Sequence, residues 1–209
     1  MMGYHRTKSP PGIKQKGCIA MTDFFEVLKT RRSVRSYTAE PVSREEIQEL
    51  IDSAVLAPTG MNFQPWAFSV VTNQEVMQKV NAIVVSILRS PEAQRQMTSE
   101  RMKAIVNAPN SYIFHGAPAL IVISGDTKVP GSMYDCQLAA ENLFLAAHAK
   151  GLGTCYMGFL QLASENLEVH KLLGIAEGFK MMAAAVVGHP KERPEGPPQR
   201  NPARIVWVS

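Results

Sequence analysis

Ser132 to Gly158 reads SMYDCQLAAENLFLAAHAKGLGTCYMG. Its first part, Ser132 to Lys150, is rich in alanine and leucine and predicts a long helix, with Gly151 placed to close it. Gly153 to Gly158 then predicts a glycine-bounded turn or short strand. The glycines follow a helix here, whereas the dinucleotide-binding fingerprint precedes one and spaces its glycines differently, so a Rossmann unit is excluded.

Working outward, Pro118 to Ser124 (PALIVIS) is a continuous apolar run of the kind found in a strand buried on both faces. Trp66 to Val71 and Lys180 to Val187 also read as strands, and Arg204 to Val208 reads as a final one. Asp23 with Glu26, and Ser43 with Glu46, have the spacing of capping boxes. After the second, Ile47, Leu50, Ile51, Ala54 and Val55 recur at helical spacing up to Pro58. Gln74 to Asn107 is helical in pattern but broken near Pro91 and polar enough to act as a mobile cover. Ser164 to Leu173 predicts a capped helix, and Gly188 to Pro202, with five prolines, a loop. Strands separated by helices, with helices dominating, give an α+β or mixed α/β layered domain.

The chain of 209 residues suits a single domain. Its formal charge of +4 comes from Arg6, Lys8, Lys14 and Lys16, and from Met21 onward 18 basic residues face 18 acidic ones. A neutral body argues against a nucleic-acid surface. Residues 1–20 read as a flexible arm preceding a domain over 21–209, and no apolar run reaches the length of a membrane span. Cys18, Cys136 and Cys155 form no CxxC pair, so neither a disulfide framework nor a zinc site is expected, and a cytoplasmic setting is the default. His115, His148 and His170 lack metal spacing and read as structural or surface residues. Cys155, inside an apolar strand, reads as core.

Four stretches carry chemistry. Arg31, Arg32, Ser33 and Arg35 follow the first helix; arginine offers planar donors suited to phosphate, and an extended backbone would align Arg31, Ser33 and Arg35 on one side. Taken alone, they equally suit a solvated helix end that complements the helix dipole. In Pro58-Thr59-Gly60-Met61-Asn62-Phe63-Gln64-Pro65-Trp66, the amides of Asn62 and Gln64 match the alternating carbonyl and NH edge of a flavin pyrimidine, or simply satisfy their own turn. Gly151 to Gly158 lets backbone NH groups approach a planar ligand. Gly188-His189-Pro190 with the later Arg200 offers a second phosphate clamp or a plain surface loop.

In this order the four stretches, RRSVRSY, APTGMNFQPWAF, GLGTCYMG and GHP with a later arginine, resemble the nitroreductase family of FMN-dependent NAD(P)H oxidoreductases, over Phe24 to Val208. The resemblance implies a layered α+β fold with a central, mainly antiparallel sheet flanked by helices, in an intertwined homodimer with FMN sites at the subunit interface. It assigns Arg31, Arg32 and Ser33 to the FMN phosphate and ribityl chain, with Arg35 at the pyrimidine edge. Asn62 and Gln64 would contact the isoalloxazine ring, Gly153 and Thr154 would lie beside its N5, and Arg200 would return to the phosphate. The C-terminal segment would add a strand to the partner's sheet. The pattern departs at Tyr156, where many relatives carry tryptophan, and in the N-terminal arm, which has no counterpart.

The implied activity is transfer of electrons from NAD(P)H through FMN to a small acceptor such as a nitroaromatic or quinone, by a ping-pong cycle that needs no separate dinucleotide domain. No protein side chain is assigned as catalytic and no metal is expected. Two other readings share the scaffold: a flavin enzyme of different chemistry, dehalogenating or fragmenting flavin, and a non-catalytic FMN-binding protein.

Overall fold

The computed structural model describes residues 24–194, 196 and 198–208. The expectations for residues 1–20, and for Asp23 as a cap, lie outside them. Helix α1 spans Phe24–Thr30 and α2 Arg44–Ala54. Ser43 caps α2 in the predicted box: its hydroxyl accepts from the Glu46 backbone N–H, and the Glu46 carboxylate accepts from that of Ser43. Strand β1 is Trp66–Val71, and the broken helical region resolves into α3 (Gln74–Leu88), α4 (Pro91–Gln96) and α5 (Glu100–Asn107). Ser90 caps α4 with Pro91 in its first turn, so the proline that interrupts the pattern starts a new helix. Strand β2 (Ala119–Asp126), α6 (Ser132–Ala149), β3 (Gly153–Tyr156), α7 (Leu167–Leu173) and β4 (Phe179–Gly188) complete the order.

The sheet runs β1-β2-β4-β3, every pairing antiparallel. Its two central strands are buried on both faces, which explains the unbroken apolar run of β2. Leu120 and Val122 point to a layer containing α3 and α7, while Ala119, Ile121 and Ile123 point to α2 and α6. In β4 the alternation slips at Met182, the extra residue where the register shifts between Ile123 and Ser124. The Met182 carbonyl accepts from the side-chain amides of Gln137 and Gln161 at 2.7 and 2.9 Å, so the bulge leaves that oxygen satisfied.

Helix α6 ends as expected, with the left-handed residue one place past the cap. Gly151, at φ +82, follows the cap Lys150; its N–H reaches the His148 carbonyl at 3.0 Å and the Leu152 N–H reaches that of Ala147 at 2.8 Å, a Schellman ending. This turn feeds the chain directly into β3. Two expectations need correction. The helix predicted from Ser164 begins at Leu167, because Asn166 caps it while residues 158–163 form a 3-10 turn ending at Ser164. Arg204 to Val208 pairs with no strand of its own chain; Val206, Trp207 and Val208 lie at least 86% exposed.

Candidate functional site

The RRSVRSY segment lies along the free edge of β3. Ser33 forms a parallel bridge with Thr154, and the Val34 N–H donates to the Thr154 carbonyl at 2.9 Å. On its other side Tyr37 bridges antiparallel to Pro190, the Thr38 N–H reaches the His189 carbonyl at 2.9 Å, and Lys191 N–H reaches Ser36 at 3.0 Å. Val34 and Tyr37 are buried, and the Tyr37 hydroxyl donates to the Val34 carbonyl at 2.7 Å. Burial drives the Tyr37 phenol far above its ordinary range. Three of the four motifs therefore meet in one chain.

The segment is not a regular strand, and this changes the expected alignment. Val34 and Tyr37 are anchored three residues apart rather than two, so Arg31 and Arg35 diverge. The Arg31 guanidinium lies 5.9 Å from the Phe144 ring centre and 3.5 Å from the Glu141 carboxylate, both on α6. Arg35 instead lines a cavity of about 680 Å³ under α4 and α5, together with Arg101 and His115.

A basic cluster forms around the end of α6. Arg193 donates to His148 Nδ1 at 3.2 Å and to the Gly151 carbonyl. That leaves His148 Nε2–H to donate to Thr30 Oγ1 at 2.9 Å, while the Thr30 hydroxyl donates to the Glu26 carbonyl. Burial, and then the nearby charges of Arg193, Arg31 and Arg32, hold the His148 imidazole below its usual pKa. Arg32 Nε donates to the Gly196 carbonyl at 2.9 Å, drawing the proline-rich loop alongside. Arg200, farther along that loop, is exposed and has no ion pair or hydrogen bond among the described residues. This donor set fits a phosphate: several guanidinium groups meet beside a hydroxyl, with one carboxylate, Glu141, among them. Sequence reasoning missed His148 and Arg193; the last turn of α6 and the basic KER triplet after Gly188-His189-Pro190 are the only local signals of either.

Gly153 is also a packing position. A Cβ there would meet Val34 Cβ at 2.8 Å and Pro190 Cγ at 3.0 Å, so the missing side chain is filled by the neighbouring motifs. Thr154 is buried at 4% exposure, as is Cys155, whose thiol burial pushes up.

The fourth motif stands apart. Its loop is fastened to the first turn of α6, where the Gly60 N–H donates to the Asp135 carboxylate at 3.3 Å. Met61, Asn62 and Gln64 adopt φ of 51, 59 and 48, a left-handed conformation uncommon outside glycine and typical of held, functional loops. Gln64 Nε2 donates to Asn62 Oδ1 at 2.9 Å and both amides face outward. Trp66, at the end of this loop, aligns through Gly125 with Lys180, whereas Thr154 aligns with Val187. Three strand spacings across and, with the Met182 bulge discounted, six register positions along give a diagonal of roughly 25 Å between them.

Among the described residues no helix is long and apolar enough to cross a membrane, and no group of acidic, histidine or cysteine side chains could hold a metal. The sequence pattern of the nitroreductase family matches residues 28–189. A protein of Methanothermobacter thermautotrophicus that carries the name of an NADH dehydrogenase/NAD(P)H nitroreductase is 30% identical over 193 residues, covering 90% of this chain and 88% of its own. A 4-nitrobenzoate reductase of Pseudomonas putida is 29% identical over 163 residues, covering 64% of this chain and 71% of its own. Among solved structures, a nitroreductase with bound FMN from Desulfitobacterium hafniense is 28% identical at a TM-score of 0.76, covering 90% of this chain and all of that one. The antiparallel layered fold, the edge ribbon that gathers three motifs and a family match across most of the chain have one common reading: this protein belongs to the nitroreductase family.

Proposed function

We propose that this protein is an FMN-dependent oxidoreductase that passes electrons from NADH or NADPH to a small acceptor such as a nitroaromatic or quinone. The observation that carries the reading is the cluster of Arg31, Arg32 and Arg193 around His148, beside the Ser33–Thr154 bridge. Its charge complements a phosphate that anchors a planar cofactor, and a solved relative binds FMN.

In this reading Arg31, Arg32, Ser33 and Arg200 hold the phosphate and ribityl chain. Arg35 approaches the pyrimidine edge, where a cation favours the anionic reduced ring. Gly153 and Thr154 lie by N5. When bound, FMN supplies the hydride acceptor and donor of the cycle. The protein's own contribution is to orient the ring, to set the field around it and to keep one place beside it for nicotinamide and acceptor in turn.

Asn62 and Gln64 reach this cofactor from a second subunit, since in one chain a span of roughly 25 Å separates Trp66, at the end of their loop, from Thr154. A homodimer is thus part of the proposal. Two further features support it: α6 exposes Met133, Tyr134 and Leu138 although it is apolar on its core side as well, and the tail leaves Ile205 to Val208 uncovered. The proposed setting is the cytoplasm, in keeping with the free, buried thiols of Cys136 and Cys155.

An anaerobic visible spectrum before and after addition of NADH or NADPH tests the function, with the released flavin weighed by mass spectrometry. Bound FMN that bleaches with nicotinamide is the expected result. FMN that stays oxidised would refute the reductase reading, and failure to bind flavin after reconstitution would refute the cofactor assignment.

A further inference from the structure

We propose that the cavity beneath α4 and α5 is the acceptor pocket and that Arg101 makes it select acceptors with a flat apolar body and one anionic group, such as a nitrobenzoate. The inference rests on the reductase reading, because Arg35 belongs both to the cavity lining and to the proposed cofactor edge.

The cavity volume of about 680 Å³ falls in the range of small-molecule sites. Its walls are apolar and soft, with Met97, Met102, Ile105, Met157 and Phe159 among them. Met102 and Ile105 are large apolar side chains left 40% and 43% exposed on α5, which the open cavity beside them explains. Arg101 and Ile105 lie four residues apart on this helix, so the guanidinium and the apolar wall share one face.

The lining contains Arg35 and Arg101 but no carboxylate. The acids of the two cover helices are engaged elsewhere, Glu92 with Arg95 at 3.2 Å and Glu100 with Lys103 at 2.8 Å. Arg101 has no ion pair or hydrogen bond among the described residues, and its charge is therefore uncompensated at the cavity mouth. His115 does not compete for this role, since burial and then the Arg35 charge lower its pKa and disfavour the imidazolium. With Arg35 committed to the cofactor, Arg101 is the cation left for the acceptor. An anionic group at the mouth keeps partial hydration while the ring enters the apolar interior. A neutral ring gains only the second of these contacts.

The test is isothermal titration of the purified protein, at measured flavin content, with 4-nitrobenzoate and with nitrobenzene. Wild type is expected to bind the carboxylate at least about tenfold more tightly, as a charge-assisted hydrogen bond implies. Arg101→Gln should bring the two ligands close to parity, and Arg101→Lys should restore part of the preference. Equal binding by wild type, or a preference that survives Arg101→Gln, overturns the proposal. So does a variant whose loss falls on NADPH instead, which would make Arg101 a nucleotide-phosphate contact. Low flavin content would count against the reductase reading, whereas the comparison of wild type with Arg101→Gln at equal flavin content tests the pocket by itself.

Discussion

The backbone N–H of Val34 donates to the carbonyl oxygen of Thr154 at 2.9 Å, and this bond lays the arginine-rich segment against the edge of β3. The approach depends on Gly153, whose absent side chain is replaced by Val34 and Pro190. Gly153→Ala should therefore cost about 1–3 kcal/mol by overpacking and weaken FMN binding as Arg31 to Ser33 shift. Gly60→Ala, with nothing near its added methyl, is the matched control. Chemical denaturation and flavin titration read the two effects, and equal stability of both variants would contradict the packing argument.

Arg31→Ala should raise the FMN dissociation constant about tenfold to hundredfold, the loss of one charge-assisted bond. Phe144 keeps its edge contact with Tyr156, and the Glu141 side chain is half exposed to water, so folding should survive. Fluorescence titration of released flavin measures it, and wild-type affinity would remove Arg31 from the phosphate site.

Sedimentation should return twice the chain mass of 23.0 kDa. Truncation after Pro202 removes the exposed Ile205 to Val208 and should shift the equilibrium toward monomer, with flavin lost in parallel. A monomer that retains FMN would disprove the shared site.

Cys136, buried on α6, has its thiol pushed up to about 11 from 9.0, chiefly by desolvation. Because the folded value lies above the unfolded one, its contribution to stability is complete below pH 9 and falls away as pH rises toward 11. Iodoacetamide at pH 8 should leave the peptides bearing Cys136 and Cys155 unmodified in the folded protein. Rapid alkylation of either would show that the thiol is accessible.

Cys155→Ala should leave flavin reduction by nicotinamide nearly intact and cost on the order of 1 kcal/mol in stability. Stopped-flow bleaching measures the first; a rate that collapses with FMN still bound would make Cys155 more than core.

Local grammar in the sequence is faithful wherever neighbours in sequence make the decision. Ser43 and Glu46 cap α2 because both partners lie within one turn, and the run at Pro118 to Ser124 becomes a central strand because its residues are apolar on both faces. The helix expected from Ser164 starts later, capped by Asn166, because a 3-10 turn absorbs the residues before it. The divergence of Arg31 from Arg35 is illegible in advance, since it follows from where Val34 and Tyr37 find their pockets. The loop at 60–64 misleads locally: its glycine keeps an ordinary backbone, and Met61, Asn62 and Gln64 take the left-handed turns. His148 and Arg193 are 45 residues apart in sequence and meet only after the last loop returns.

That return has a temporal meaning. Ser33 waits for Thr154, and Tyr37 waits for Pro190, so a ribbon that leaves the ribosome early is fixed by segments made more than a hundred residues later. Strands β1 and β2 can pair while synthesis proceeds, but closing the ribbon carries the loop-closure cost of more than a hundred residues. The arginine-rich segment therefore takes its final position only once Pro190 has been made, which dates the proposed phosphate site to the end of that folding step.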